Sequence, residues 1–119
     1  MDFCTIVMYH YVRKIKNSKF SNIKGLELNL FQKQIRYFKK NYNFINYFDL
    51  LESIYNNKKL PLNPILLTFD DGFSDNYDYV FPILVKENIK ACFFPVGSSI
   101  IDNKVLDVHK IHFILSMFN

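Results

Sequence analysis

Residues 65–72 restrict this chain to a small set of folds. The apolar run Ile65-Leu66-Leu67-Thr68-Phe69 shows no alternation, and Asp70, Asp71 and Gly72 follow it directly. A run of this kind reads as a strand buried on both faces, as in parallel sheets. Charges do not sit inside such a strand without a partner or a metal, so the Asp pair is expected where the strand leaves the sheet. In α/β folds that carboxyl-terminal edge is where ligands bind. Two adjacent carboxylates raise the cost of ionising both, and a divalent cation removes that cost. Neighbouring side chains at a strand end point in different directions. One can therefore hold a metal while the other faces a substrate as general base. Gly72 lets the backbone turn sharply and lets another group approach closely. A solvated Asp-Asp-Gly turn is the competing reading.

The rest of the chain supplies a parallel sheet around that strand. Cys4–Tyr9 reads as a first buried strand ending at His10, and residues 13–27 as a loop. Asn29 is placed to cap a helix through Lys40, with Phe31, Ile35 and Phe38 on one face. Phe44-Ile45 is a short second strand. Asn46 then caps a helix whose apolar stripe is Tyr47, Leu50, Leu51, Ile54 and Tyr55. After the Asp pair comes a stripe of Tyr77, Val80, Phe81, Leu84 and Val85, with the regular helix starting near Pro82. Residues 90–95 form a fourth strand, Gly97-Ser98-Ser99 a turn, and a last helix runs from about Val105 to the end. Strands alternating with helices imply right-handed βαβ units. Tyr9-His10, Asp70-Asp71 and Gly97-Ser98 are then expected on one edge.

At 119 residues the chain is one domain at most, with 13 Phe and 8 Tyr to fill a core. Its formal net charge of +4 comes from scattered lysines, which argues against a nucleic-acid groove. Cys4 and Cys92 lie in apolar runs and match no zinc or disulfide pattern. No apolar stretch is long enough to span a bilayer. The start at Met1-Asp2 shows no signal peptide, so the chain as written is expected to be cytoplasmic.

A third chemical feature lies at Asp107-Val108-His109-Lys110-Ile111-His112. Two histidines three apart on a helix are about 60° apart around its axis, close enough to reach one metal. With Asp71 they would form a two-histidine, one-carboxylate set that leaves positions open for water and substrate. Against this, Val105, Val108, Ile111 and Leu115 form the apolar face of the same helix. His112 lies on that face, where a core histidine is the ordinary outcome, and His109 reads equally well as a surface side chain.

The motifs Val7-Met8-Tyr9-His10-Tyr11-Val12 and Leu67-Thr68-Phe69-Asp70-Asp71-Gly72-Phe73, then residues 76–84 and Lys90-Ala91-Cys92-Phe93-Phe94, resemble in order the polysaccharide deacetylases of carbohydrate esterase family 4. The resemblance implies a distorted parallel (β/α) barrel, of which this chain supplies about four strands from the amino-terminal part, as one incomplete domain over residues 1–119. It implies metal-dependent hydrolysis of acetyl groups on an N-acetylated sugar or polysaccharide. Asp70 would be the general base, Asp71, His109 and His112 the ligands of a divalent metal such as zinc, and His10 a substrate or supporting contact. The partner would be an acetylated glycan. The family spaces its second-motif histidines four apart, with Ser or Thr after the first, whereas His109 and His112 are three apart with Lys110 next. Its later motifs, carrying a group that orients the base and a histidine general acid, have no counterpart.

Two other readings compete. One is an inactive fragment or glycan-binding module keeping the first half of the fold. The other is a phospho-accepting receiver domain, but its acid pair belongs after the first strand, and here that strand ends in His10. A half-barrel would expose the edge of its fourth strand and much apolar surface, which favours self-association.

Overall fold

The computed structural model describes residues 3–118. Met1, Asp2 and Asn119, on which the readings of the two chain ends partly rest, lie outside them. The elements in order are β1 (Thr5–Tyr9), β2 (Val12–Arg13), β3 (Leu26–Glu27), α1 (Leu28–Asn41), β4 (Asn43–Phe44), α2 (Tyr47–Asn56) and β5 (Pro64–Asp71). A π-helical turn, Asn76–Val80, leads into α3 (Phe81–Lys86), followed by β6 (Ala91–Pro95), α4 (Gly97–Ile101) and α5 (Asp107–Leu115). The main sheet is parallel throughout, with β5 paired to β1, β4 and β6. β2 and β3 form a separate parallel pair.

β5 is the central strand, and residues 64–69 are all buried, as its unbroken apolar run requires. Its two faces differ in what they meet. One carries Ile65, Leu67 and Phe69, each fully buried against Phe31 and Ile35 of α1 and against Val80 and Leu84. In-register pairing places Tyr9 beside Phe69 and Phe69 beside Phe93. The three rings stack in a row across the sheet, each neighbouring pair 5.0 Å apart. On the opposite face, Ile6 and Met8 of β1 and Phe94 of β6 are more than half exposed. β1 is thus not buried on both faces: its exposure alternates. Among the described residues, neither β1 nor β6 has a strand on its far edge.

Several local expectations change. The capping box at Asn46 forms, with reciprocal bonds to Asp49. α1 instead starts at Leu28 behind Glu27, without a side-chain cap. The Glu27 carboxylate turns away to accept from the Ile15 and Lys16 N–H groups at 2.8 and 2.9 Å, so residues 13–27 are a tied loop ending in a strand. α2 buries none of its residues fully: Leu50 and Leu51 of its stripe are half-buried, and Tyr47, Ile54 and Tyr55 are exposed. Tyr77, Phe81 and Val85 are likewise exposed, while Val80 and Leu84 of the same stripe are buried. Gly97–Ile101 is a short helix rather than a turn.

The core also sets an alkaline limit. Burial pushes the Tyr9 hydroxyl up to about 12, and that hydroxyl donates to Gln34 Oε1 at 2.8 Å. An unfolded tyrosine ionises near ~10. Between those values the unfolded chain has lost a proton that the folded chain retains, so stability falls as pH rises, by about 2–3 kcal/mol across the window. Below it the contribution is fully present. Tyr9→Phe is expected to remove this share of the decline in urea-unfolding free energy, and an unchanged slope would assign the decline to other groups.

Candidate active site

The aromatic row fixes the height at which the polar groups emerge. Because Tyr9 pairs with Phe69, the next residues, His10 and Asp70, come out of the sheet side by side. His10 Nε2 lies 3.8 Å from Asp70 Oδ2, and both side chains remain open to solvent, 45% and 28% exposed. The strand does not end before the acids, as expected from sequence, but runs through them: Asp70 pairs with Phe94 and Asp71 with Pro95. The exit is at Asp71 itself, where φ is +71°, followed by Gly72 at +66°. A non-glycine residue in the left-handed region costs roughly 1–2 kcal/mol, and such strain collects at functional sites. Asp is among the residues that tolerate it best.

Gly72 is needed for two reasons. Besides its positive φ, a Cβ there would sit 2.7 Å from Pro95 Cβ and 2.8 Å from Pro95 Cα. Gly72→Ala is expected to lower unfolding free energy by about 3 kcal/mol, combining left-handed strain with overpacking against backbone. A urea midpoint equal to that of the wild type would refute the close approach.

α5 brings the second half of the site. His109 is 6% exposed, and its Nε2 lies 3.3 Å from Asp71 Oδ2. The helix therefore faces the opposite way from its sequence reading. Val105, Val108, Ile111 and Leu115 are exposed, and the inward positions are His109 and the partly buried Leu106 and Phe113. The apolar stripe was misassigned because it points to the uncovered side of the molecule. His112 is exposed; its Nδ1 lies 3.2 Å from the Tyr11 hydroxyl, and its ring centre is 6.4 Å from that of His109.

Three further residues, Tyr11, Arg13 and Asp75, complete the surroundings; no role is expected for them from the sequence, although Tyr11 lies in the motif at residues 7–12. Tyr11 stacks on Phe73 at 4.4 Å. Burial pushes its hydroxyl above the usual value, Arg13 draws it down, and the carboxylates of Asp71 and Asp75 push it up again. A neutral Tyr11 oxygen can accept from His112 Nδ1–H, leaving Nε2 as the free ring nitrogen. Arg13 pairs with Asp75, both side chains about 15% exposed. The only trace of this pair in the sequence is two unlike charges 62 positions apart.

The donor set of one carboxylate and two imidazoles suits zinc. Two donors on a tetrahedral zinc, each at about 2.0–2.1 Å, lie roughly 3.3 Å apart, the separation of Asp71 and His109. The third donor is not drawn in: among the described residues no three His, Cys, Asp or Glu side chains converge as a metal cluster. Asp71 and His109 meet, His10 and Asp70 meet, and His112 stands beside them on Tyr11. Also among the described residues, no helix is long and apolar enough to cross a membrane.

Comparison with known proteins gives a consistent result. Residues 57–112 match the family model for polysaccharide deacetylase. A stretch of 36 residues is 50% identical to YxkH of Bacillus subtilis (strain 168), whose name assigns it to the polysaccharide deacetylases; the match covers 30% of this chain and 13% of that protein. Over 97 residues the chain is 29% identical to the poly-β-1,6-N-acetyl-D-glucosamine N-deacetylase of Escherichia coli (strain K12), covering 81% of this chain and 14% of that enzyme. The solved de-N-acetylase of Aggregatibacter actinomycetemcomitans superposes with a TM-score of 0.71 at 29% identity, over 86% of this chain and 40% of that one. The chain thus spans less than half the length of each of these proteins.

Proposed function

We propose, for a chain that belongs through residues 57–112 to the polysaccharide deacetylase family, that it carries the metal-binding and base-bearing half of a site that removes acetyl groups from an N-acetylated sugar polymer. The observation that carries this reading is the opposed pair of contacts at one strand end. Asp71 meets a buried histidine at 3.3 Å, while Asp70, its neighbour, points to the half-exposed His10 at 3.8 Å. One acid is aimed at a cation and the other at a substrate, which is the division of labour that amide hydrolysis needs.

Asp71 and His109 would hold a divalent ion, zinc being the best match to the donors, with His112 Nε2 as the third ligand. Bound there, the ion would polarise the acetyl carbonyl and lower the pKa of a water molecule. Asp70 would take a proton from the attacking water as its oxygen bonds to the carbonyl carbon. The carbon–nitrogen bond then breaks, and the proton passes to the departing sugar amine. His10, whose imidazole lies beside Asp70 at 3.8 Å, would contact the sugar. The substrate class rests on the E. coli relative, whose name specifies a poly-N-acetylglucosamine N-deacetylase.

The short span relative to the solved enzyme and the unconverged third ligand favour one alternative: a glycan-binding module without turnover. The bare face of β1 and β6 also makes association of the isolated chain part of the proposal. Isothermal titration of the metal-free chain with zinc, together with acetate release from N-acetylglucosamine oligomers, separates these readings. Stoichiometric zinc uptake with chelator-sensitive acetate release supports the hydrolase. Glycan binding without either supports the module.

A further inference from the structure

α5 presents the histidines, yet it has little to hold it in place. His109 is its only buried residue, and Val108, Ile111, Ile114 and Leu115 all face outward. Hydrophobic burial, the ordinary reason a helix docks, is nearly absent. What α5 does touch is a cluster of rings around one guanidinium. Arg13 Cζ lies 5.1 Å from the Phe113 ring centre, 5.1 Å from Tyr11 and 5.9 Å from Phe73. Phe113 also packs on Phe20 at 4.7 Å, and His109 leans on Phe73 at 4.8 Å. The charge is compensated by Asp75, which accepts from Arg13 Nε at 2.5 Å.

Phe73 and Asp75 belong to the segment that leaves Asp71, while Phe113 and His109 belong to α5. Tyr11 and Arg13 both bridge the two: Tyr11 stacks on Phe73 and meets His109 and Phe113 edge-on, and Arg13 lies over Phe73 and Phe113 while pairing with Asp75. We infer that Arg13 is a positioning residue: by clamping Phe113 of α5 to Asp75 and Phe73 of the Asp loop, it sets the separation of Asp71 and His109. This rests on the metal-site reading proposed above, and it assigns Arg13 no contact with metal or substrate. The clamp requires arginine in particular. A planar guanidinium can stack on several rings while donating in its plane to a carboxylate, whereas a lysine ammonium is a point charge on a flexible stem.

The test compares wild type, Arg13→Lys and Arg13→Leu, first as metal-free chains by hydrogen exchange. Amides of Lys110–Leu115 report on α5, and those of Leu67 and Phe69 serve as an internal control for the core. Arg13→Lys keeps the charge opposite Asp75 and so guards against simple unfolding. The expected result is loss of α5 protection in both variants with β5 protection retained in Arg13→Lys. Zinc affinity is then expected to fall by about 10–100-fold, the usual effect of removing support behind a metal ligand. Wild-type α5 protection and wild-type zinc affinity in Arg13→Lys would overturn the clamp while leaving the metal reading intact. Absence of zinc uptake by the wild type, with α5 loosened in Arg13→Lys, would instead overturn the metal reading and support the clamp.

Discussion

Asp71→Asn is expected to weaken zinc uptake by the chain about 100-fold or more while leaving the fold in place. The substitution is chosen for the backbone as much as for the charge. Position 71 has φ of +71°, and asparagine occupies that region almost as readily as aspartate, so the turn into Gly72 survives. What is lost is the anionic oxygen facing His109 Nε2. Losing the proposed direct ligand is expected to exceed the 10–100-fold typical of residues that merely support one. Calorimetric titration with zinc checks it, and circular dichroism confirms the fold. Undiminished affinity in Asp71→Asn would place the metal elsewhere or remove it from the scheme.

Asp70→Asn is expected to separate chemistry from binding. The carboxylate faces His10 at 3.8 Å rather than the proposed metal pair, and its side chain is partly open to solvent. Loss of the proposed general base is worth about 10²–10⁴-fold in rate, with zinc uptake expected to be unchanged because Asp71 and His109 are untouched. The measurement is acetate release from N-acetylglucosamine oligomers by the protein, alongside zinc titration of the same variant. Retained acetate release would assign the base to another residue, His10 first. Joint loss of zinc and activity would mean that the two acids share the metal rather than divide the work.

Some of this is legible in the sequence alone. The unbroken run at 65–69 meant a doubly covered strand, and residues 64–69 are buried. Asn46 followed by Asp49 meant a capping box, and both bonds form. These are short-range effects, in which the residues that decide the outcome are neighbours in the chain. The stripe of α5 failed for the opposite reason. Periodicity shows that one face of a helix is apolar, but not that anything lies against it; Val108, Ile111 and Leu115 are exposed and His109 is buried. The same holds for α2, whose Tyr47, Ile54 and Tyr55 are exposed.

The sequence by itself determined a parallel α/β sheet with two carboxylates at the end of its central strand, because local periodicity and the cost of burying charge leave few alternatives. Only the tertiary structure decided which histidine faces which acid. It also revealed Tyr11, Arg13 and Asp75 as the frame around them. Those relations join residues far apart in the chain, such as Asp71 with His109 and Arg13 with Asp75. They exist only once strand register and helix docking have been fixed by packing.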